Sequence, residues 1–323
     1  MTRVAAIDCG TNSLRLLIAD VEETPDGKQT LTDVERRMIV VRLGQGVDAT
    51  GEFHVDAIAR TRRGLQEYAT LIAESGATRL RMVATSATRD ASNRDVFFDM
   101  TREILDPVIA GSVAEVITGD EEAELSFLGA VADLDPAEGP FVVVDLGGGS
   151  TEVVYGADSV IAARSVDIGC VRLTERCLHS DPPTDSEITA AIQTAREVLR
   201  DAFSAVPLAP AHTWVGVAGT MTTLSALAHE MPEYDSVKIH LSRVPFPRLF
   251  EVCDDLVHMT RARRMSLGPM HPGRADVIGG GAIITRVLAE ELAAVTDIGE
   301  LVVSEHDILD GIAYSLAASG NGD

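Results

Sequence analysis

The chain has 323 residues, of which 46% are hydrophobic and 24% charged, so it is long enough for two domains with buried cores. A net charge of −23 and an aromatic content of 4% argue against general binding to nucleic acid or to an anionic membrane. No stretch reaches the roughly 20 apolar residues of a membrane span, and no apolar leader opens the chain. We therefore expect a cytoplasmic protein.

The first predicted element is a hairpin over about residues 3–21, which contains VAAIDCGTNSLRLLIAD. A charged turn at 22–28 precedes a further strand in LTDVERRMIVVRLG. Residues 55–75 have helical apolar spacing and stop at Gly76, which suits a helix C-cap. We expect a strand that runs into a loop in RLRMVATSATR, and a short strand in VAEVIT. Acidic residues favour a helix start in GDEEAELSFLGAVADL.

In the second half of the chain, residues 133–140 have the composition of a linker, and a second hairpin follows in FVVVDLGGGSTEVVYG. Thr184 and Glu187 have the spacing of a capping box at the start of a helix. A strand, a glycine turn and a helix are predicted in HTWVGVAGTMTTLSALA, and a loop and a helix in HPGRADVIGGGAIITRVLAEEL. The chain ends with a predicted strand in ELVVSEHD and a helix in ILDGIAYSLAAS. Strands that alternate with helices indicate the α/β class.

The two hairpins share an acidic residue, a turn of small residues and a serine, each repeated after 137 positions. The matched pairs are Asp8 with Asp145, Gly10 with Gly147, and Ser13 with Ser150. Self-similarity of this kind indicates two related halves. A tight hairpin with incidental acids is the simpler interpretation, but a plain turn does not need the same acid and serine twice.

Consecutive glycines let the backbone approach a ligand, and successive amide N–H groups can form an anion-binding nest. Asp145 and Glu152 flank such a turn, so both carboxylates can face the same ligand. Amides that hold phosphate beside two acids indicate a bridging Mg²⁺ or Mn²⁺ ion. A third glycine turn precedes a helix, whose amides can bind a further phosphate. The predicted phosphate-binding residues are Gly10, Thr11, Asn12 and Ser13 (loop 1), Gly147, Gly148, Gly149 and Ser150 (loop 2), and Gly219 and Thr220.

Two facing hairpins are the pattern of the superfamily of actin, sugar kinases and heat-shock chaperones. More specifically, six motifs over about residues 5–312 resemble, in their order, the exopolyphosphatase and guanosine pentaphosphate phosphohydrolase family. These motifs are DCGTNSLRLLIAD, ATSATRDA, GDEEAELSFLGA, DLGGGSTE, DIGCVRLTE and GVAGT. The resemblance implies an actin-like (ribonuclease H-like) duplicated fold, with mixed sheets, flanking helices and the active site in the interdomain cleft. It implies domain I at 1–132, completed by a C-terminal helix at 306–323, and domain II at 133–305.

The same resemblance implies roles for single residues. Glu122 matches the catalytic glutamate that orients or deprotonates water, and Arg89 matches an arginine near the phosphate site. Asp145 matches the metal-associated aspartate, Glu152 a second acid that positions metal or water, and Asp8 is the third predicted metal ligand. The family's long members carry an extra C-terminal helical domain that aids dimerisation, and this chain resembles a short form without it. From the family resemblance we expect a homodimer. Ala218 replaces the usual serine of the third turn and removes a hydroxyl.

These roles favour an exopolyphosphatase that acts on inorganic polyphosphate, with guanosine pentaphosphate 5′-phosphohydrolase as the close alternative. The scarcity of aromatic residues favours the polymer. More distant alternatives are a sugar or acid kinase and a non-enzymatic actin-like scaffold.

The remaining residue types indicate structural roles. No C-x-x-C pair occurs, so we expect reduced thiols, and the scattered histidines lack an H-E-x-x-H motif, so the sequence predicts no zinc site. Arg172 and Arg274 are predicted as surface ion-pair partners, a simpler role that stays open for Arg89 too. The arginine run at 261–264 is predicted as a solvated helix face rather than a guide for a polyanion.

Overall fold

The computed structural model describes residues 2–24 and 29–318, and the chain divides into two compact units. Unit 1 comprises Met1–Gly129 and Ile308–Asp323, and unit 2 comprises Ala130–Asp307. Residues 25–28 of the predicted charged turn lie outside the described residues, as does the predicted C-terminal helix beyond residue 318.

Unit 1 begins with three consecutive strands, and unit 2 repeats that arrangement. From the N-terminus the elements are β1 Thr2–Cys9, β2 Ser13–Glu23, β3 Gln29–Val40, α1 Val47–Thr50, α2 Val55–Ser75, β4 Arg79–Ala84, α3 Ser86–Asp90, α4 Asp95–Leu105, β5 Ala114–Val116 and α5 Gly119–Val131. The elements that follow are a 3-10 helix Pro136–Glu138, β6 Phe141–Leu146, β7 Thr151–Gly156, β8 Val160–Val166, α6 Cys170–Cys177, α7 Asp185–Ala205, β9 Thr213–Val217, α8 Ala218–Ala228, α9 Ser236–Ile239, β10 Ser242–Pro245, α10 Phe246–His258, α11 Arg261–Met265, α12 Ile278–Val295 and β11 Glu300–Val303. The last helix, α13 Ile308–Ala318, returns to unit 1.

The two sheets have the same strand order. Sheet 1 runs β3-β2-β1-β4-β5, and sheet 2 runs β8-β7-β6-β9-β11 with β10 added at the edge. In both sheets the first three strands in sequence are antiparallel neighbours, and the first strand also pairs in parallel with the fourth. The predicted duplication therefore extends from the hairpins to the whole sheet, and the α/β actin-like fold is confirmed.

Both faces of β1 are buried, which explains its nearly continuous apolar sequence. Successive strand residues point to opposite faces. Val4 and Ala6 belong to an apolar cluster that contains residues of α13, whereas Ala5 and Ile7 belong to a second cluster that contains residues of α2 and α4. Sheet 1 is thus covered by helices on both sides. Unit 2 has a separate core around Trp214, which is fully buried.

Two predicted helix ends are confirmed by their capping geometry. Helix α2 spans the predicted residues and ends at Gly76, whose φ of 75° is the left-handed conformation that glycine adopts without strain. Helix α7 begins at Thr184, where the threonine and Glu187 form the predicted capping box. The backbone N–H and hydroxyl of Thr184 hold the pKa of Glu187 down at about 2.

The prediction of a loop directly after β4 is wrong, because Ser86–Asp90 form the short helix α3. The N–H groups of Thr88 and Arg89 both donate to the Thr85 carbonyl, which closes a helical turn immediately after the strand. Helices α4 and α10 are real elements that the sequence patterns do not predict. All four cysteines are free, as expected, and no helix among the described residues is long and apolar enough to cross a membrane.

Helix α13 lies so close to α5 that Gly311 has no room for a side chain. A Cβ at this position would collide with the Leu125 carbonyl, a backbone atom that cannot move alone. We expect Gly311→Ala to lower the free energy of unfolding by about 1–3 kcal/mol, the usual range for overpacking. Urea denaturation measures the change. Gly299→Ala is the control, because a Cβ there meets nothing within 4 Å. Equal stability of both variants would contradict the close packing.

Candidate active site

In unit 1 the predicted residues gather at one edge of the sheet. The parallel strands β1, β4 and β5 end together, since Cys9 pairs with Ala84 and Ala84 with Val116. Loop 1, α3 and α5 follow directly after these ends. In open α/β sheets, ligands bind outside the carboxyl ends of the strands. This edge is therefore the candidate site of unit 1.

Glu122 and Arg89 form an ion pair at this edge. Glu122 lies in the first turn of α5 and is 7% exposed. Arg89 Nη1 donates to Glu122 Oε2 over 2.7 Å and to the Ile117 carbonyl over 3.1 Å. Since Arg89 comes from the last turn of α3, the unpredicted helix is what brings this guanidinium to the glutamate. The neighbouring Glu121 is instead bound by Arg81 and is more exposed.

Asp8, at the end of β1, is buried beside an arginine from the opposite strand. Asp8 and Arg15 are cross-strand partners, and Arg15 Nε and Nη2 lie 2.9 and 2.7 Å from Asp8 Oδ2. Hydrogen bonds from the segment after β3 fix the backbone of loop 1, because the carbonyls of Thr11 and Asn12 accept the N–H groups of residues 41, 42 and 44. The first acid of the duplicated hairpin is thus charge-compensated within its own hairpin.

The second hairpin places two acids where the first has an acid and an arginine. Asp145 is the cross-strand partner of Glu152, the position that corresponds to Arg15. The two carboxylates are 6% and 1% exposed, and Ser165 Oγ donates to Glu152 Oε1 over 2.7 Å. Cβ atoms of directly opposed residues lie about 4.5–5.5 Å apart. Two buried carboxylates at this spacing fit a hard divalent cation such as Mg²⁺ or Mn²⁺, which takes oxygen ligands.

Loop 2 is held by the N-terminal end of α6. The carbonyl of Gly147 accepts the Cys170 N–H over 3.0 Å, and the Gly148 carbonyl accepts the N–H groups of the next two residues. Arg172 Nε donates to the Gly149 carbonyl over 2.7 Å. These bonds occupy the loop carbonyls from one side, which fixes the peptide planes of the glycines. The prediction of Arg172 as a surface ion-pair partner is wrong, because its guanidinium is buried and positions loop 2.

The third predicted loop has no separate turn. Gly216 lies within β9, and α8 begins at Ala218, directly after the strand. Ala218 has a φ of 69°, in the left-handed region that costs a residue with a Cβ about 1–3 kcal/mol. Such strain is common at ligand sites. Gly219 and Thr220 follow in the first turn of α8, where helix N–H groups point outward.

Arg274 is packed against this helix start rather than at the surface as predicted. A Cβ on Gly219 would collide with its guanidinium, and Arg274 Nη1 donates to Thr223 Oγ1 over 2.7 Å. A charged group therefore lies directly beside the amides of Gly219 and Thr220. Sequence reasoning missed this role, because Gly219 and Arg274 are 55 positions apart and no periodic signal joins them.

The arginine run at 261–264 has a divided role. Arg264 is 4% exposed and donates to the carbonyls of Leu256, Val257 and Ala275, so the prediction of a solvated face fails for this residue. Burial lowers the pKa of Arg264. The other two arginines of the run are exposed, as expected.

In unit 2 the structure brings together Asp145, Glu152, loop 2 and the start of α8, at the carboxyl ends of β6 and β9. In unit 1 it brings together Asp8, loop 1, Arg89 and Glu122. Three further residues, which the sequence did not assign to a site, contact these groups: Ser165 contacts Glu152, Arg172 contacts loop 2, and Arg274 contacts the start of α8.

Comparison with known proteins matches residues 18–317 to the family model described as the Ppx/GppA phosphatase family. The chain belongs to this family. It is 63% identical to Exopolyphosphatase 2 of Mycobacterium tuberculosis, over 98% of this chain and 99% of the relative. A crystal structure titled as an exopolyphosphatase-like protein is 42% identical with a TM-score of 0.92, and covers 98% of this chain and 99% of its own. The Ppx/GppA family member of Aquifex aeolicus is 32% identical with a TM-score of 0.80, and covers 100% and 99%. The resemblance that the six motifs indicate is thus confirmed.

The opposed carboxylates of Asp145 and Glu152 should lower the free energy of unfolding of this Ppx/GppA protein when no cation is bound. Like charges directly opposite each other on a sheet are destabilising, by about 0.2–1 kcal/mol. We expect Glu152→Gln to unfold at a slightly higher urea concentration than the wild type in chelator, because one of the two charges is removed. Added Mg²⁺ should stabilise the wild type by an amount that grows with the logarithm of its concentration above Kd, but should not stabilise the variant.

Glu197→Gln is the matched control, because Glu197 is an exposed acid on α7 of the same unit. It should respond to Mg²⁺ as the wild type does. If Glu152→Gln gains as much stability from Mg²⁺ as the wild type, Glu152 is not part of a cation site.

Proposed function

We propose that this protein is an exopolyphosphatase, a phosphoanhydride hydrolase that releases terminal phosphate from inorganic polyphosphate by in-line attack of water. The observation that carries the proposal is the buried Asp145–Glu152 pair beside three consecutive glycines, in a chain of a phosphatase family. The 63% identical relative that is named an exopolyphosphatase supports the choice of substrate. Phosphoryl transfer depends mainly on positioning and charge neutralisation, and both are functions that these residues can supply.

Glu122 is the proposed catalytic carboxylate, which orients the attacking water and accepts its proton. Arg89 fixes the rotamer of Glu122 by binding Oε2, so the carboxylate is held in one direction before substrate arrives. A general base of this kind contributes about 10²–10⁴-fold to the rate. Arg89 itself is proposed to lie near the phosphate, where its guanidinium can offer further N–H donors.

Asp145 and Glu152 are the proposed ligands of Mg²⁺ or Mn²⁺, and Asp8 remains a candidate whose Oδ2 is already bound by Arg15. A divalent cation held there would neutralise charge on the phosphoryl and leaving oxygens. Ser165 keeps Glu152 oriented by donating to Oε1.

Loop 1 in unit 1, and loop 2 with the start of α8 in unit 2, are each proposed to bind phosphate oxygens. The chain has only two lysines, Lys28 and Lys238, so phosphate ligands must be backbone amides, hydroxyls and arginines. Arg274 suits this task because its planar fork can bind two phosphate oxygens at once. The net charge of −23 does not prevent binding, since salt screens distant charges beyond about 8–10 Å.

Guanosine pentaphosphate has the same terminal phosphoanhydride chemistry and is the second substrate to be compared. We further propose a homodimer in the cytoplasm with no membrane or nucleic-acid partner, on the strength of the motif resemblance and the acidic composition. A sedimentation experiment that gives the mass of one 34.3 kDa chain would contradict the dimer.

Replacement of Glu122 by glutamine keeps the size and the contact to Arg89 but removes the proton acceptor. We expect kcat for phosphate release from long polyphosphate to fall by about 10²–10⁴-fold with little change in KM. The assay should run with Mg²⁺ on long polyphosphate, short polyphosphate and guanosine pentaphosphate in parallel.

Glu121→Gln is the control, because Glu121 is the preceding residue and binds Arg81 instead. It should keep near wild-type kcat. The hydrolase proposal is overturned if the wild-type enzyme releases no phosphate from any of the three substrates. If the rate is faster on guanosine pentaphosphate, that compound replaces polyphosphate as the proposed substrate.

Arg274→Ala should weaken polyphosphate binding. Hydrogen bonds to charged groups contribute about 1.5–3 kcal/mol, so kcat/KM should fall roughly 10–100-fold. Arg200→Ala is the control, because Arg200 is exposed on α7. Unchanged kcat/KM in Arg274→Ala would show that Arg274 only supports the start of α8.

A further inference from the structure

One carboxylate and two imidazoles form a cluster in unit 2 that no step of the proposed reaction uses. Asp133 follows α5, His240 is the C-cap residue of α9, and His306 lies between β11 and α13. One ligand atom from each residue lies within 4.8 Å of the other two. These residues are far apart in sequence, so no close-set histidine motif predicts a zinc site here.

The distances within the cluster are close to those of a metal site. Asp133 Oδ2 lies 2.6 Å from His306 Nδ1 and 3.4 Å from His240 Nε2, and the two imidazole rings are 4.5 Å apart between centroids. Ligand atoms of a tetrahedral zinc site lie about 3.3 Å from one another, given Zn–N and Zn–O bonds of about 2.0–2.2 Å. Small side-chain rotations would therefore suffice to admit the ion.

In the absence of a cation the same groups are joined by hydrogen bonds. The Glu305 N–H donates to His240 Nδ1 over 3.3 Å, so His240 Nε2 carries the proton that faces Asp133. For an ion to bind His240 Nε2, this proton must move to Nδ1. The 3.3 Å hydrogen bond from the Glu305 N–H to Nδ1 is then lost. The 2.6 Å hydrogen bond between His306 Nδ1 and Asp133 Oδ2 is lost as well, because both atoms become ligands of the ion. These two losses limit the affinity, and three metal–ligand bonds replace them.

We propose that Asp133, His240 and His306 bind a divalent transition-metal ion of the Zn²⁺ class, with water in the fourth position. Two imidazoles and one carboxylate select such ions over Mg²⁺, which prefers oxygen ligands. The site differs in this chemistry from the Asp145–Glu152 pair, which offers only oxygen.

The position of the ligands in the chain gives the ion a structural role. Asp133 lies where the chain has just entered unit 2, which begins at Ala130, and His306 lies just before unit 2 ends at Asp307. His240 joins them from the middle of the unit. A bound ion would therefore fasten the entry segment of unit 2 to its exit segment. The inference does not depend on the proposed hydrolase activity.

The test is Zn²⁺ binding to the full chain, measured by calorimetry in excess Mg²⁺ so that carboxylate sites are already occupied. We expect one Zn²⁺ per chain, and a higher unfolding temperature when it is bound. His306→Gln and His240→Gln should each weaken binding by at least ~10-fold, since even loss of a group that only orients a ligand costs about 10–100-fold.

The controls separate this site from others. His179→Gln, which replaces an exposed histidine of the same unit, and Glu152→Gln should both bind Zn²⁺ as the wild type does. If His306→Gln does not fold, Asp133→Asn makes the same comparison, because the Asp133 side chain is 47% exposed. No saturable Zn²⁺ binding, equal binding by the wild type and the two histidine variants, or loss of binding in Glu152→Gln would each overturn the proposal.

Discussion

The opposition of Asp145 and Glu152 on adjacent strands is the constraint around which unit 2 is organised. Two carboxylates that face each other with almost no solvent access repel, so the surrounding residues must hold them in place. Ser165 does so from β8, and the first turn of α6 fixes the adjacent glycine loop through its carbonyls. The cation that we propose for this pair would relieve the repulsion next to the loop that α6 holds in place.

The two hairpins share their backbone but differ in the chemistry beside the turn. Both hairpins close their turns with the same backbone bond, from Gly10 N to the Ser13 carbonyl and from Gly147 N to the Ser150 carbonyl, over 3.0 and 3.1 Å. The difference lies in one cross-strand position, which carries Arg15 in unit 1 and Glu152 in unit 2. A salt-bridged pair results in the first case and a pair of like charges in the second. The two hairpins thus share this backbone bond and differ in the charge of the residue opposite the shared aspartate.

The sequence predicts those features that are local or periodic, and it fails where contacts join distant segments. Helix α2, the capping box at Thr184 and the paired hairpins follow from spacing alone, since each depends on residues a few positions apart. The order of strands in sheet 1 is not local, and no pattern in the sequence predicts it. Short helices such as α3 leave too few residues for a periodic signal.

The same limit applies to the candidate site. Glu122 and Arg89 come from separate motifs, and no pattern in either motif predicts their hydrogen bond. Arg172 and Arg274 are predicted at the surface because arginine is rarely buried without partners. Their partners, a carbonyl of loop 2 and the Thr223 hydroxyl, lie far away in the sequence. The proximity of His240 to His306 depends on the position of β11 in the sheet and leaves no trace in the residue spacing.

The return of α13 to unit 1 has a consequence for the order in which the chain can fold during synthesis. Unit 2 is one continuous segment, so all of it has been made before α13. Unit 1 starts the chain, but the face of β1 that carries Val4 and Ala6 is covered by residues of the last helix, including Ile312. That face of sheet 1 therefore gains this cover only after all of unit 2 has been made. Unit 1 starts first but is completed after unit 2, which reverses the usual N-to-C order of domain folding on the ribosome.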